Sequence, residues 1–238
     1  MQSKDLFSSH IGLRELLITF RQAGIDLNVS GYQLSGLLSS AHALADPITI
    51  LILGNEGSGK SSFISRFVEQ DISSFQSKTK LPKIIRYGDK FQNFSDEMFE
   101  EILVPHQIFK KLNFIEYNIE QLSQHSDLLK TVYKVSDLVL IIVPAIDPWD
   151  TSVYGVVSDL NMITNLPLAV VLSHSDLRTD EENNAFKDYI YQSTEKALGN
   201  LIPVFEVPYV NYSQSNRVEN NHLSKLFEWV GENVEEKS

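Results

Sequence analysis

Apolar residues fall in two rhythms along the chain. Leu13, Leu16, Leu17 and Phe20 recur at the spacing of a helix face, as do Leu34, Leu37, Leu38, Ala41 and Leu44, and Gly24 to Gly31 interrupts the pattern between them. Residues 1–46 are therefore expected to form a helical pair. After Asp46-Pro47 the rhythm changes. Ile48 to Leu53 is an apolar, β-branched run ending in a glycine-rich turn, which predicts a strand buried on both faces. Similar runs recur at Ile84 to Tyr87, Leu112 to Glu116, Leu138 to Val143, Leu168 to Leu172 and Val204 to Val207, with helical patterns between several of them. That alternation predicts an α/β fold, with a mostly parallel central sheet flanked by helices, over residues 47–238.

The clearest intervening helix runs through Val153, Val156, Val157, Leu160 and Ile163, with Asp150 or Thr151 as its candidate cap. The stripe Leu223, Leu226, Phe227, Val230 and Val234 marks a C-terminal amphipathic helix that ends in Glu235-Glu236-Lys237. Asp89 to Lys111, acidic and rich in phenylalanine, fits a hairpin, a short helix or a mobile insert. There is no internal repeat and no Pro, Ser or Gly linker between domains.

Composition narrows the classes. Twenty Lys plus Arg against 31 Asp plus Glu leave a net charge of −11 over 238 residues, which opposes nucleic acid as a partner. With 42% hydrophobic and 21% charged residues the chain has material for a folded core. The absence of cysteine excludes disulfides, thiolate zinc sites and a cysteine nucleophile, and the six histidines show no metal-ligand spacing. Leu138 to Ile146 is the longest strongly apolar stretch, is broken by Pro144, and falls short of the roughly 20 residues of a membrane helix. The N-terminus has no apolar signal core, so a soluble cytoplasmic protein without a transmembrane segment is expected.

Gly54-Asn55-Glu56-Gly57-Ser58-Gly59-Lys60-Ser61 matches the phosphate-loop pattern GxxxxGK[ST] in full, between a predicted strand and a predicted helix. Its glycines let successive N–H groups point inward, Lys60 brings a point charge for the β- and γ-phosphates, and the Ser61 hydroxyl is placed to ligate Mg²⁺. The helix beginning near Lys60 adds its positive end, with Ser62 in its first turn. The alternative is an accidental glycine turn, which the strand–loop–helix setting opposes. The expected fold class is thus a P-loop NTPase.

Lys78-Thr79-Lys80-Leu81-Pro82-Lys83-Ile84-Ile85-Arg86-Tyr87-Gly88-Asp89 resembles the first switch of bacterial dynamin-like GTPases, a threonine-containing loop leading into a strand that ends Arg-Tyr-Gly. The resemblance puts Thr79 on the magnesium-ligating switch threonine; the alternative is an ordinary loop residue. Where the family carries Asp-x-x-Gly after its third strand, this chain has Glu116-Tyr117-Asn118-Ile119. Glu116, one methylene longer than the aspartate, is expected to reach a metal-bound water. Ile119 is a poorer substitute, because a β-branched residue resists conformations open to a glycine hinge. His125 lies where the family often has a histidine, or is a surface residue of a polar loop.

The family reads its base with Asn or Thr, Lys, any residue and Asp; the corresponding segment here is Ser173-His174-Ser175-Asp176. Asp176 would accept two N–H bonds from guanine, a pair adenine does not present. Its alternative role is to cap a helix or close a turn. Ser173 stands in for threonine, whereas His174 is not expected to reproduce a lysine stem packed on the base and the loop. The last family loop would fall at Asn211-Tyr212-Ser213. The resemblance covers about residues 48–234, and implies that the N-terminal pair packs near the C-terminal helix as a neck. No stalk or lipid-contacting paddle follows, so coat formation is not expected.

The resemblance therefore implies a guanine-nucleotide-binding protein with GTP/GDP and Mg²⁺ as cofactors. Lys60, Thr79 and Glu116 would serve catalysis, residues 54–62 with Ser173, His174 and Asp176 would bind nucleotide, and Ser61 and Thr79 would hold the metal. Glu56 places a negative charge beside the phosphates, which implies slow hydrolysis or a nucleotide-governed switch. The family further implies a homodimer across the nucleotide face or a larger dynamin-like partner. The competing reading is a non-hydrolysing pseudo-GTPase acting as a protein-interaction module; an ATPase or small-molecule kinase is disfavoured by Asp176.

Overall fold

The structure, a computed structural model, describes residues 47–67, 81–95, 99–120, 132–146, 151–163, 166–199, 201–208 and 220–235. The expected helical pair of residues 1–46 lies outside these, as do Thr79, His125 and Asn211-Tyr212-Ser213. Among the described residues eight strands form one sheet: β1 (Ile48–Gly54), β2 (Lys83–Tyr87), β3 (Gln92–Ser95), β4 (Glu100–Val104), β5 (Leu112–Asn118), β6 (Leu138–Pro144), β7 (Leu168–Ser173) and β8 (Val204–Val207). Their order is β3-β4-β2-β5-β1-β6-β7-β8. The run from β5 through β1, β6 and β7 to β8 is parallel; β2 is antiparallel to β5, and β3 to β4.

The unbroken apolar runs have a simple cause, since both faces of the sheet are covered. Successive side chains alternate between faces. Leu51 and Leu53 of β1 join Ile115, Val139, Ile141, Val170 and Leu172 in a cluster with Val153, Val157 and Leu160 of α2 (Thr151–Ile163) and Phe186 and Ile190 of α3 (Asp180–Leu198). Ile50 and Ile52 face the other way, with Phe114, Leu140, Ile142 and Val171, against Phe63 and Ile64 of α1 (Lys60–Phe67) and Leu226 and Val230 of α4 (Asn220–Glu235). Full burial of each such side chain contributes about 1.5–3 kcal/mol.

Of the three forms that fit residues 89–111, the structure shows the hairpin, β3 with β4, followed by a 3₁₀ turn at Gln107–Lys110. β4 inserts between β3 and β2, and Gly88 allows the close approach: a Cβ there would lie 2.5 Å from that of Leu103. Helix α3 carries no continuous apolar stripe, so hydrophobic periodicity does not reveal it; it is defined by a Thr179–Glu182 capping box and by Gly199 at φ 71°. Thr151 is the first helical residue of α2. In α4, Leu226 and Val230 are buried as the stripe predicts, while Phe227 is exposed.

Candidate functional site

β1 lies between β5 and β6, and the chain's path switches sides there: it leaves β1 for β2 on one side, whereas β5 is followed by β6 on the other. In open α/β sheets the crevice at the carboxyl ends of such strands is where ligands bind. The loop leaving β1 is residues 54–60. Gly57 and Gly59 stand at φ 78° and 92°, a region that favours glycine, and α1 opens with Phe63 N–H bonded to Gly59 O at 2.8 Å. Gly54 is needed for a different reason: a Cβ there would meet Ser58 Oγ at 2.5 Å and the Ile142 carbonyl at 2.6 Å.

Lys60 is buried and curls over the loop, its Nζ donating to the carbonyls of Gly54 at 2.9 Å and Asn55 at 2.6 Å. Burial holds its ammonium below the ordinary lysine value, Glu116 opposes this shift, and Lys83 adds to it. Glu116 is itself buried near the end of β5. Both its carboxylate oxygens lie 3.0 Å from Ser61 Oγ, whose single proton is shared between them. Hydroxyl and carboxylate are hard oxygen donors of the kind magnesium takes, so Ser61 and Glu116 fit a divalent ion accompanying phosphates beside the loop. Asn55 is half-buried, while Glu56 and Ser62 are exposed.

The Ser173–Asp176 segment is tied to the same loop. Ser173, the last residue of β7, donates its buried hydroxyl to Ser58 O at 2.7 Å; Val143 O is farther, at 3.4 Å. One hydroxyl has one proton, so its 3.0 Å contact with His174 Nδ1 is a bond when that nitrogen carries the hydrogen. His174 adopts the left-handed conformation at φ 58°, ψ 30°, and its Cε1 lies 3.2 Å from where a Gly59 Cβ would be. The imidazole thus rests against the loop at Gly59.

Asp176 follows in a 3₁₀ turn, Ser175–Leu177, exposed at its tip, with Ser175 O held by Asn183 Nδ2 at 2.8 Å. It does not cap α3; Thr179 does, which removes the capping alternative for this residue. Ile119, in the place of the family's glycine, is buried in the core with Tyr117, Val132 and Tyr133. The segment after β5 is therefore anchored by its apolar side chain at that residue.

Sequence reasoning overlooked Lys83. It stands directly across the β2–β5 ladder from Glu116, with Nζ 3.8 Å from Oε1. Nothing in the local sequence reveals this pairing, because it depends on the register of two strands. Among the described residues no group of three or more His, Asp or Glu side chains is placed to hold a metal, and no helix is long and apolar enough to cross a membrane.

No protein-family model matches the sequence, and no curated protein matches it. Solved structures do. Two chains from an oligomerised bacterial dynamin pair, described as a mechanism for long-range sensing and tethering of membranes, superpose with TM-scores of 0.63 and 0.62 at 14% identity. Each comparison covers 97% of this chain and 43% of the other, so the chain spans less than half their length. A point variant of Aquifex aeolicus Era, bound to GDP·AlF4⁻, superposes with a TM-score of 0.50 at 16% identity, covering 78% of this chain and 56% of that one. An eight-stranded, mostly parallel sheet, its flanking helices and a glycine loop at the end of its central strand thus give this chain the P-loop α/β fold seen in these bacterial dynamins and in Era.

Proposed function

We propose that the chain is a guanine-nucleotide-binding protein of the dynamin-like class that hydrolyses GTP slowly or uses it as a switch. The observation that carries this reading is the join between the two halves of the site: Ser173, beside the base-reading Asp176, bonds the carbonyl of Ser58 inside the phosphate loop. A ligand with an anionic tail in the loop then has its other end beside Asp176. Two N–H groups on one edge of guanine match that carboxylate; adenine lacks the pair.

The residues divide the work. Loop N–H groups and Lys60 receive the phosphates, His174 packs beside the loop, and Ser61 with Glu116 would hold magnesium, with Thr79 as the further ligand that the family resemblance implies. The metal would neutralise charge on the transferring phosphoryl group. Slow turnover follows from Ile119: the backbone at the position from which a glycine would follow the γ-phosphate is held by a buried side chain. The same residue favours the second reading, a non-hydrolysing module that binds nucleotide and a protein partner. A copy of this chain across the nucleotide face, or a larger dynamin-like protein, is the partner class that fits the resemblance.

Purified protein is heat-denatured and the released nucleotide identified, then the chain is titrated with GTP, GDP and ATP and phosphate release is followed. Guanine nucleotide bound in preference to ATP supports the reading; phosphate release selects hydrolysis over the second reading. Replacing Lys60 by Ala should weaken nucleotide binding by at least about tenfold, since a charge-assisted contact to phosphate is lost. Unchanged affinity in that variant overturns the site assignment.

A further inference from the structure

Lys83 has no part in the mechanism above, yet it sits inside the site. Its position opposite Glu116 is set by the antiparallel ladder between β2 and β5, with Ile84 and Ile85 paired to Ile115 and Phe114 in the same register. Only 14% of its side chain and 8% of that of Glu116 are exposed. Ammonium, carboxylate and the Ser61 hydroxyl therefore form one connected chain, with contacts of 3.8 and 3.0 Å. The last two members are the groups that fit a divalent ion.

We propose that Lys83 is a tethered cation that supplies part of the charge neutralisation otherwise left to a divalent ion, so that the chain holds a nucleoside di- or triphosphate without free magnesium. Two physical effects lead there. A metal ion binding to Ser61 and Glu116 has to displace their mutual hydrogen bond and approach an ammonium already paired with the same carboxylate, which weakens its binding. Phosphates beside the loop, meanwhile, would face a Glu116 carboxylate already offset by the Lys83 ammonium, in a partly buried setting where screening by water and salt is reduced. Turnover is a separate matter: neutralising the ground-state nucleotide does not reproduce a metal's polarisation of the reacting phosphoryl oxygens, so binding and hydrolysis differ in metal dependence.

This inference rests on the nucleotide-binding reading, and its test separates the two. The affinity of the full chain for a fluorescently labelled GDP is measured in magnesium and in EDTA, for the natural sequence and for Lys83→Gln and Lys83→Arg. The natural chain should show dissociation constants within about threefold of each other in the two buffers, and Lys83→Gln should widen the ratio to about tenfold or more. Lys83→Arg, which keeps the charge, should stay close to the natural ratio. Circular dichroism establishes that each variant is folded, and the comparison on the natural chain needs no variant. Release of the nucleotide by EDTA from the natural chain, or an unchanged ratio in folded Lys83→Gln, overturns the proposal while leaving nucleotide binding intact. Failure to bind in either buffer removes the nucleotide reading and this inference with it.

Discussion

Removing the Ser173 hydroxyl probes the join between the end of β7 and the glycine-rich loop after β1. In Ser173→Ala the bond to Ser58 O at 2.7 Å disappears, together with the contact to His174 Nδ1 at 3.0 Å. The methyl that remains gives the Ser58 carbonyl no donor. Loss of one partner from a buried pair costs about 1–3 kcal/mol, because the other has surrendered its water and receives nothing in return. For a domain of this size each kcal/mol lowers the melting temperature by about 2–4 °C, so a fall of roughly 2–12 °C is expected. If a loosened loop must be ordered again when phosphate binds, the same free energy appears in affinity as a factor of about 5–150. The assays are thermal denaturation by circular dichroism without nucleotide and a GDP titration. A variant that melts and binds like the natural chain would show that the hydroxyl does not hold the loop.

Further outcomes follow from the same geometry. Gly54→Ala should lose about 1–3 kcal/mol by overpacking, since the new methyl meets the Ile142 carbonyl across a strand pair that cannot part freely; denaturant unfolding checks this, and an unchanged midpoint would refute the clash. Asp176→Asn replaces an acceptor-only carboxylate with a group that carries both donor and acceptor, so GTP preference over ATP should fall by about tenfold or more in competition binding. Retained preference would show that the base is read elsewhere. Burial pushes the hydroxyls of Tyr117 and Tyr133 above the ordinary tyrosine value of 10.0, with Asp159 and Tyr117 adding to the shift at Tyr133. The folded state keeps protons that the unfolded chain releases, so this stability is complete below pH 10 and declines as pH rises beyond it. An ultraviolet titration should show these two phenols ionising only with alkaline unfolding; ionisation in the folded chain, at the ordinary pH, would contradict their burial.

Much of the site was legible because its chemistry is local. The phosphate loop occupies consecutive residues, its glycines answer to their own backbone angles and close contacts, and the apolar run before it declares a strand covered on both faces. Ser173 and Asp176 could be located by their place directly after another such run. The Thr179–Glu182 capping box was equally local, and marks a helix that too few apolar residues announce.

Tertiary structure alone decided the rest. The 89–111 segment became a hairpin that extends the sheet, β4 pairing with β2 and β3 lying outside β4. Ile119 could be seen as a poor hinge, but its anchoring depends on Val132 and Tyr133, which come from another part of the chain. The pairing of Lys83 with Glu116 and the bond from Ser173 to Ser58 likewise join separate segments. Residue order specifies which backbone groups and charges are available, whereas strand register and packing determine which distant ones meet in low dielectric, where their interactions are strong enough to shape binding.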